Sequence, residues 1–237
     1  MSKSISPKIL CIIPAREGSK GLKNKNLKRL NNHPLIAWSI FAAKKCKKIS
    51  EIVVSTDSLK ISKISKKYGV SVPFIRPKKL ATDKASTFSV LKHAIDYFKK
   101  KKIKFEYLLL LEPTSPLRDY RDIEFCINKI INNDIETIVS VSKVKAQHPN
   151  FLFKINKKNI LKPYLNNNFK STMRRQDIQP LYFLEGSLYI SKISTLLRKK
   201  TFYHNKTQAF EVKNWRSLEI DDINDFNLAK YYIKNYE

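Results

Sequence analysis

Apolar residues in this chain arrive in two alternating patterns, short near-continuous runs and longer stretches with a helical repeat. Residues 9–13, 51–55, 107–111 and 137–141 are of strand length and carry apolar side chains at consecutive positions. A strand that is apolar on both faces must be covered on both, which is the habit of parallel sheets flanked by helices. Residues 34–46, 58–68, 87–99 and 120–131 read as the helices between them. Residues 87–99 put Val90, Leu91, Ala94, Ile95 and Phe98 on one face. Pro34 suits a first-turn position and Gly69 a C-terminal cap. Residues 72–75 read as a short extended segment. The resulting βαβα order predicts an α/β fold with a mostly parallel sheet between two helical layers. From about residue 142 the pattern loosens. Residues 151–155 and 160–164 read as short strands of a protruding arm within 142–185, after which 181–190, 209–212 and a helix from Ile223 return to the core. No repeat or linker divides the chain, so 1–237 is expected to form one domain.

Composition narrows the function classes. The 237 residues are 42% hydrophobic, enough for a buried core and too much for a disordered basic tail. No run of about 18 apolar residues is present, so no membrane-spanning helix is expected. The run at 9–13 is too short for the core of a signal peptide. Cys11, Cys46 and Cys126 are odd in number and widely spaced, which suits a reducing cytoplasm. The net charge of +27 invites a nucleic-acid reading. Most of that charge is Lys, spread over the whole chain in pairs such as Lys44-Lys45, Lys66-Lys67 and Lys78-Lys79. A solvated basic surface accounts for this better than a nucleic-acid footprint.

Two of the chain's four glycines fall in one loop, Pro14-Ala15-Arg16-Glu17-Gly18-Ser19-Lys20-Gly21, directly after the first strand. Glycine allows close backbone approach, so amide N–H groups can face an anion, and Arg16 and Lys20 add charge. Open α/β sheets bind ligands at the carboxyl ends of their strands. Neither G-x-x-x-x-G-K-[ST] nor G-x-G-x-x-G is present. Taken alone, the loop fits a phosphate cradle and a basic surface turn equally well.

The order of motifs along the chain breaks that tie. The loop continues through Lys25-Asn26-Leu27, Val53-Val54-Ser55-Thr56-Asp57, Arg76-Pro77, Leu80-Ala81-Thr82-Asp83, His93-Ala94 and Pro113-Thr114-Ser115-Pro116-Leu117-Arg118. Arg175-Gln176, Gly186, Tyr189-Ile190 and Glu219-Ile220-Asp221 follow. In content and order this resembles the acylneuraminate cytidylyltransferases, the CMP-sialic acid synthetases, over nearly the whole chain. The resemblance implies a Rossmann-like, three-layer α/β/α nucleotidyltransferase fold whose arm serves dimerisation. It implies transfer of CMP from CTP to the anomeric hydroxyl of a sialic-acid-like 2-keto-3-deoxy sugar acid, with release of pyrophosphate. KDO-type or amino-octulosonate cytidylyltransferases are the enzymatic alternative, and a basic nucleic-acid-binding protein is the alternative of another class.

Residue by residue, the resemblance puts Arg16, Ser19, Lys20, Lys25, Asn26, Arg76 and Ser86 at the nucleotide, with Arg16, Lys20 and Asp221 as catalytic groups. Asp83 is more simply read as the cap of the following helix. Glu112, Arg175, Gln176, Glu185 and Tyr189 would face the sugar, Arg175 taking its carboxylate. Glu219 and Asp221 match the family's magnesium pair, although an acidic helix N-terminus explains them too. The family has amides where this chain has Glu112 and Glu185. Carboxylates beside an anionic sugar are unfavourable unless paired, so a sugar other than plain N-acetylneuraminate is expected. His148 matches a family position on the arm and is read as structural. The expected partners are a second copy of the chain, CTP and the sugar acid.

Overall fold

Strand β1 (Ile9–Pro14) is buried on both faces and organises the structure around it. The computed structural model describes residues 7–19, 21–145, 147–165, 174, 176 and 178–236. Along β1 the side chains alternate between two cores. Ile9, Cys11 and Ile13 pack with α1 (Leu35–Lys45), α2 (Leu59–Lys67) and α4 (Tyr120–Asn132) through Ile36, Ile61 and Ile127. Leu10 and Ile12 pack on the other face with Leu91 and Phe98 of α3 (Thr87–Lys100) and Leu196 of α5 (Ile193–Lys199). This alternation produces the three layers that the uninterrupted apolar runs predict.

Between β1 and α1 lies a small hairpin, β2 (Arg29–Leu30) with β3 (His33–Pro34). The main sheet takes up β4 (Glu51–Ser55), β5 (Tyr107–Leu110), β6 (Thr137–Lys143), β9 (Tyr182–Lys192) and β10 (Thr207–Glu211). Its order is β10-β6-β9-β5-β1-β4. Pairings of β1 with β4 and β5, and of β6 with β10, are parallel, whereas β9 runs antiparallel to both neighbours. The sheet is thus mostly parallel, and the reversed strand is the one that returns from the irregular middle of the chain. That middle carries an antiparallel hairpin, β7 (Phe153–Ile155) with β8 (Leu161–Pro163), outside the main sheet. The last helix, α6 (Ile223–Tyr236), contributes Phe226 and Ala229 to a third cluster with Leu22, Leu117 and Ile220. That cluster clamps the glycine loop, the proline-rich loop and the acidic segment together.

Three local readings change. Pro34 sits at the N-cap of α1, one position before the first turn. Residues 72–75 form no strand, and only single bridges join Ser71 to Val53 and Ile75 to Thr56. The cap of α3 is Ser86, whose Oγ accepts the Ser89 N–H at 3.2 Å. Asp83 instead pairs with Arg16. The helix α5 is not apparent from the sequence because its seven residues are too few to show a period. Ser86→Ala is expected to destabilise the protein by about 1 kcal/mol through loss of the cap. Urea unfolding measures this, and an unchanged midpoint would show that Ser86 does not hold α3.

Candidate active site

The carboxyl ends of β1 and β5 open onto a cavity of about 570 Å³. The structure brings Arg16, Ser19, Lys25, Asn26, Arg76, Glu112 and Asp221 around it. Lys20 and Arg175 lie outside the described residues. A larger groove of about 1130 Å³, between α1 and the loop before α4, is lined by Trp38, Trp215 and several lysines and contains none of the predicted site residues. The predicted chemistry therefore lies with the smaller cavity.

The glycine loop is built from its backbone. The Ala15 N–H donates to the Ser55 carbonyl at 2.9 Å, so the loop leaves the sheet beside β4. Asn26, on the single turn Lys25–Leu27, is buried and donates its side-chain amide to the Arg16 carbonyl at 2.9 Å. A Cβ on Gly21 would stand 2.3 Å from the Asp221 carbonyl oxygen, so only glycine lets the loop pack against the acidic segment. No described atom lies within 4 Å of a Cβ built on Gly18, which removes close packing as the reason for that glycine.

The cations come with acids. Arg16 Nη1 is 2.6 Å from Asp83, and Lys25 Nζ donates to the Ile220 carbonyl at 2.6 Å and to Asp221 at 3.2 Å. Arg76 is buried, and its Nε and Nη2 have no hydrogen-bond partner among the described residues. Burial lowers its pKa, Asp57 opposes that shift and Arg16 adds to it.

The opposite wall is Glu112-Pro113-Thr114. Its shape is held by Arg118, which is buried and donates to the Glu112 carbonyl at 2.7 Å, to Ser39 Oγ at 2.7 Å and to the Ser187 carbonyl. A register shift between Val139 and Val141 against β9 displaces residues 185–188, and Ser140 Oγ holds that bulge through the Glu185 and Leu188 carbonyls. The bulge brings Gly186 under the acids. A Cβ there would meet Glu219 Oε1 at 2.5 Å, Glu112 Oε2 at 3.0 Å and, at 3.0 Å, Ser115 Oγ, which has no hydrogen-bond partner among the described residues. Burial first, and the Glu219 charge second, push the Glu112 carboxyl up to about 7, while Arg118 and Lys25 oppose them. Burial also raises Glu219, against the hydrogen bond that it accepts from the Gly186 N–H.

Several residues stand apart from the expected wall. Ser86 caps α3 and does not line the cavity. Glu185 is fully buried and accepts from the Ser187 N–H and hydroxyl, so it satisfies the core instead of facing a sugar. Tyr189 is buried against Phe202 and Tyr203, and desolvation raises its phenol. Gln176 is exposed and lines none of the cavities described. Asp221 is exposed at the cavity rim, whereas Glu219 is turned in toward Gly186. Among the described residues, no group of three or more His, Cys, Asp or Glu side chains converges as a metal cage. Arg118 and Asp57, which lie within motifs of the sequence, make contacts that no motif foretells: Arg118 to the backbone of the Glu112 wall and Asp57 beside Arg76.

The folded chain keeps a proton on Glu112 that an unfolded chain releases between pH 4.5 and about 7, so this group weakens stability as pH rises through that window. Glu112→Gln is expected to be more stable than wild type by ~2 kcal/mol near pH 8 and no more stable near pH 4, measured by denaturant unfolding with a chelator present. Parallel pH profiles for the two proteins would contradict this.

Comparison with known proteins adds the family. The profile of the family described as Cytidylyltransferase matches residues 10–237. The chain is 34% identical over 221 residues to the N-acylneuraminate cytidylyltransferase of Streptococcus agalactiae, covering 92% of this chain and 52% of the relative. It therefore spans about half the length of that relative. It is 35% identical to the CMP-N,N'-diacetyllegionaminic acid synthase of Legionella pneumophila, covering 94% of this chain and 95% of the relative. In structure it resembles CMP:2-keto-3-deoxy-manno-octonic acid synthetase complexed with CTP, with a TM-score of 0.71 at 15% identity, covering 97% of this chain and 100% of that one. On the profile match and the identity to these relatives, the chain belongs to the cytidylyltransferase family.

Proposed function

We propose that the protein transfers CMP from CTP to the anomeric hydroxyl of a sialic-acid-like 2-keto-3-deoxy sugar acid. The sugar hydroxyl oxygen bonds to the α-phosphorus, the bond to the β-phosphate breaks, and pyrophosphate leaves with the electron pair. The observation that carries this reading is the cavity at the strand ends, with Arg16, Lys25 and Arg76 on one wall and the rigid Glu112-Pro113-Thr114 loop on the other. Reactions of this type rest on positioning and charge neutralisation, which a row of fixed cations supplies. Asn26, tied to the Arg16 main chain, would hold the loop in register beneath the nucleotide.

Magnesium fits the acidic side of the cavity by donor chemistry. It takes carboxylate oxygen together with phosphates and waters, and Asp221 at the rim, whose Oδ1 also accepts from Lys25, and Glu219 turned toward Gly186 would offer carboxylates to it. Bound there, it would supply positive charge to the phosphates.

For the sugar, the support is now Glu112 alone, since Glu185 is sequestered in the core. Above its raised pKa of about 7 the Glu112 carboxylate only accepts hydrogen bonds, so there the wall favours a sugar that presents a cationic donor. An amino sugar acid supplies such a donor as its ammonium group, and the similarity to a CMP-N,N'-diacetyllegionaminic acid synthase over 95% of that relative supports a legionaminic-type acid ahead of plain N-acetylneuraminate. Pyrophosphate release, assayed with magnesium, each nucleoside triphosphate and a panel of sugar acids, is expected only with CTP. Lys25→Ala is expected to lower kcat/KM about 100-fold. Turnover only with UTP or GTP would sink the reading, and fastest turnover of N-acetylneuraminate would sink the sugar preference.

The partner we propose is a second copy. Phe153, Ile155, Ile160, Leu161 and Tyr164 expose apolar surface on the β7–β8 hairpin, more than an isolated arm leaves to water. The compartment we propose is the cytoplasm, in line with the three free, buried cysteines; among the described residues no helix is long and apolar enough to cross a membrane. Light scattering is expected to give twice the chain mass. Phe153→Lys with Ile155→Lys is expected to give a monomer with unchanged far-ultraviolet circular dichroism. A monomeric wild type would remove the dimer.

A further inference from the structure

We propose that Asp57 is a positioning residue that holds the Arg76 guanidinium at the nucleotide cavity and locks it to the glycine loop. One oxygen makes both connections. Asp57 Oδ1 accepts the Glu17 N–H at 3.0 Å and faces Arg76 Nη2 at 3.7 Å. The first contact fixes the backbone next to Arg16 and Gly18, and the second fixes the Arg76 charge in the lining of the same cavity.

Asp57 can serve both because its own backbone is held. It lies two residues beyond the end of β4, between Thr56 and Ser58. Thr56 accepts the Arg76 N–H at its carbonyl, at 2.8 Å, and the Ser58 N–H at its hydroxyl, at 3.1 Å. Ser58 then caps α2. The main chains of Asp57 and Arg76 are therefore joined before their side chains meet.

The charge balance explains why an acid is needed at this point. Arg76 is desolvated and lies near a second cation, Arg16, and both conditions disfavour its charged form. Asp57 opposes them. The neighbouring pair, Arg16 with Asp83, has side chains 35% and 45% exposed, so water screens it. In the Asp57 pair the side chains are 17% exposed for the acid and 3% for the arginine, so little solvent can take the place of the carboxylate. Without it the guanidinium would leave its buried seat, and Arg76 would lose its fixed place in the cavity lining.

The inference rests on the nucleotide reading of this cavity, and the test separates the two. Titration calorimetry with CTP needs no turnover. If the wild type neither binds CTP nor releases pyrophosphate, the proposed function fails, and the inference falls with it. If the wild type binds, Asp57→Asn, which keeps an acceptor for the Glu17 N–H but loses the charge, is expected to weaken CTP about tenfold. The KM for the sugar acid is expected to stay within twofold. In an Arg76→Gln background, the same change is expected to cost no further CTP affinity, and this double variant leaves no unpaired buried charge to prevent folding. Unchanged or tighter CTP binding by Asp57→Asn would overturn the proposal. So would additive losses in the double variant, or a parallel rise in both KM values.

Discussion

The guanidinium of Arg118 is the contact on which the geometry of the site depends. It is buried and donates to main-chain carbonyls on both the proline-rich loop and the bulged part of β9, as well as to Ser39 on α1. Burial lowers its pKa to about 10, with the nearby acid Glu185 the first of the charges that oppose this. At neutral pH it remains a cation, and hydrogen bonds from a charged donor are about twice as strong as neutral ones. Three separate elements are thereby drawn to one point. Glu112 and Gly186 become neighbours because their carbonyls share this donor group, and Glu219 then closes over Gly186 from the acidic segment.

The same cation accounts for the placement of Glu185. A fully buried carboxylate is costly unless charge and hydrogen bonds compensate it. Here Ser187 donates both its N–H and its hydroxyl, and Arg118 supplies the opposite charge. Glu185 therefore belongs to the scaffold behind the wall and Glu112 to the wall itself, although both read as one kind of substitution in the sequence.

That difference marks what sequence could and could not show. The apolar runs located β1, β4 and β5, because a strand covered on both faces has no alternative pattern. The glycine pair located the loop, although only Gly21 has a packing reason that the structure makes visible. The direction of β9 was not legible, since an antiparallel strand buried on both faces has the same composition as a parallel one. Nor was the facing of Glu185, Tyr189 or Ser86, which depends on a bulge, a core contact and a cap. Asp57 and Arg118 could have been found by a narrower question: which charged residues in otherwise apolar or proline-rich surroundings must be buried, and what would pair with them.

Most of the net charge of +27 has no part in the site. A cation contributes to a site when its position is fixed before the ligand arrives, because ordering a long side chain afterwards subtracts from binding. Among the described residues Arg16, Lys25 and Arg76 meet that condition, each through a specific aspartate: Asp83, Asp221 and Asp57. Most of the other lysines sit on exposed helix ends and loops, where salt screens them and rotamer entropy is retained. In this chain it is the scarce acids that decide which of its many cations can act. A triphosphate entering the cavity would meet three charges already aimed, and the aspartates that aimed them differ in how readily they can give way. Asp83 and Asp221 are open to water, whereas Asp57 is largely enclosed and bound to the loop.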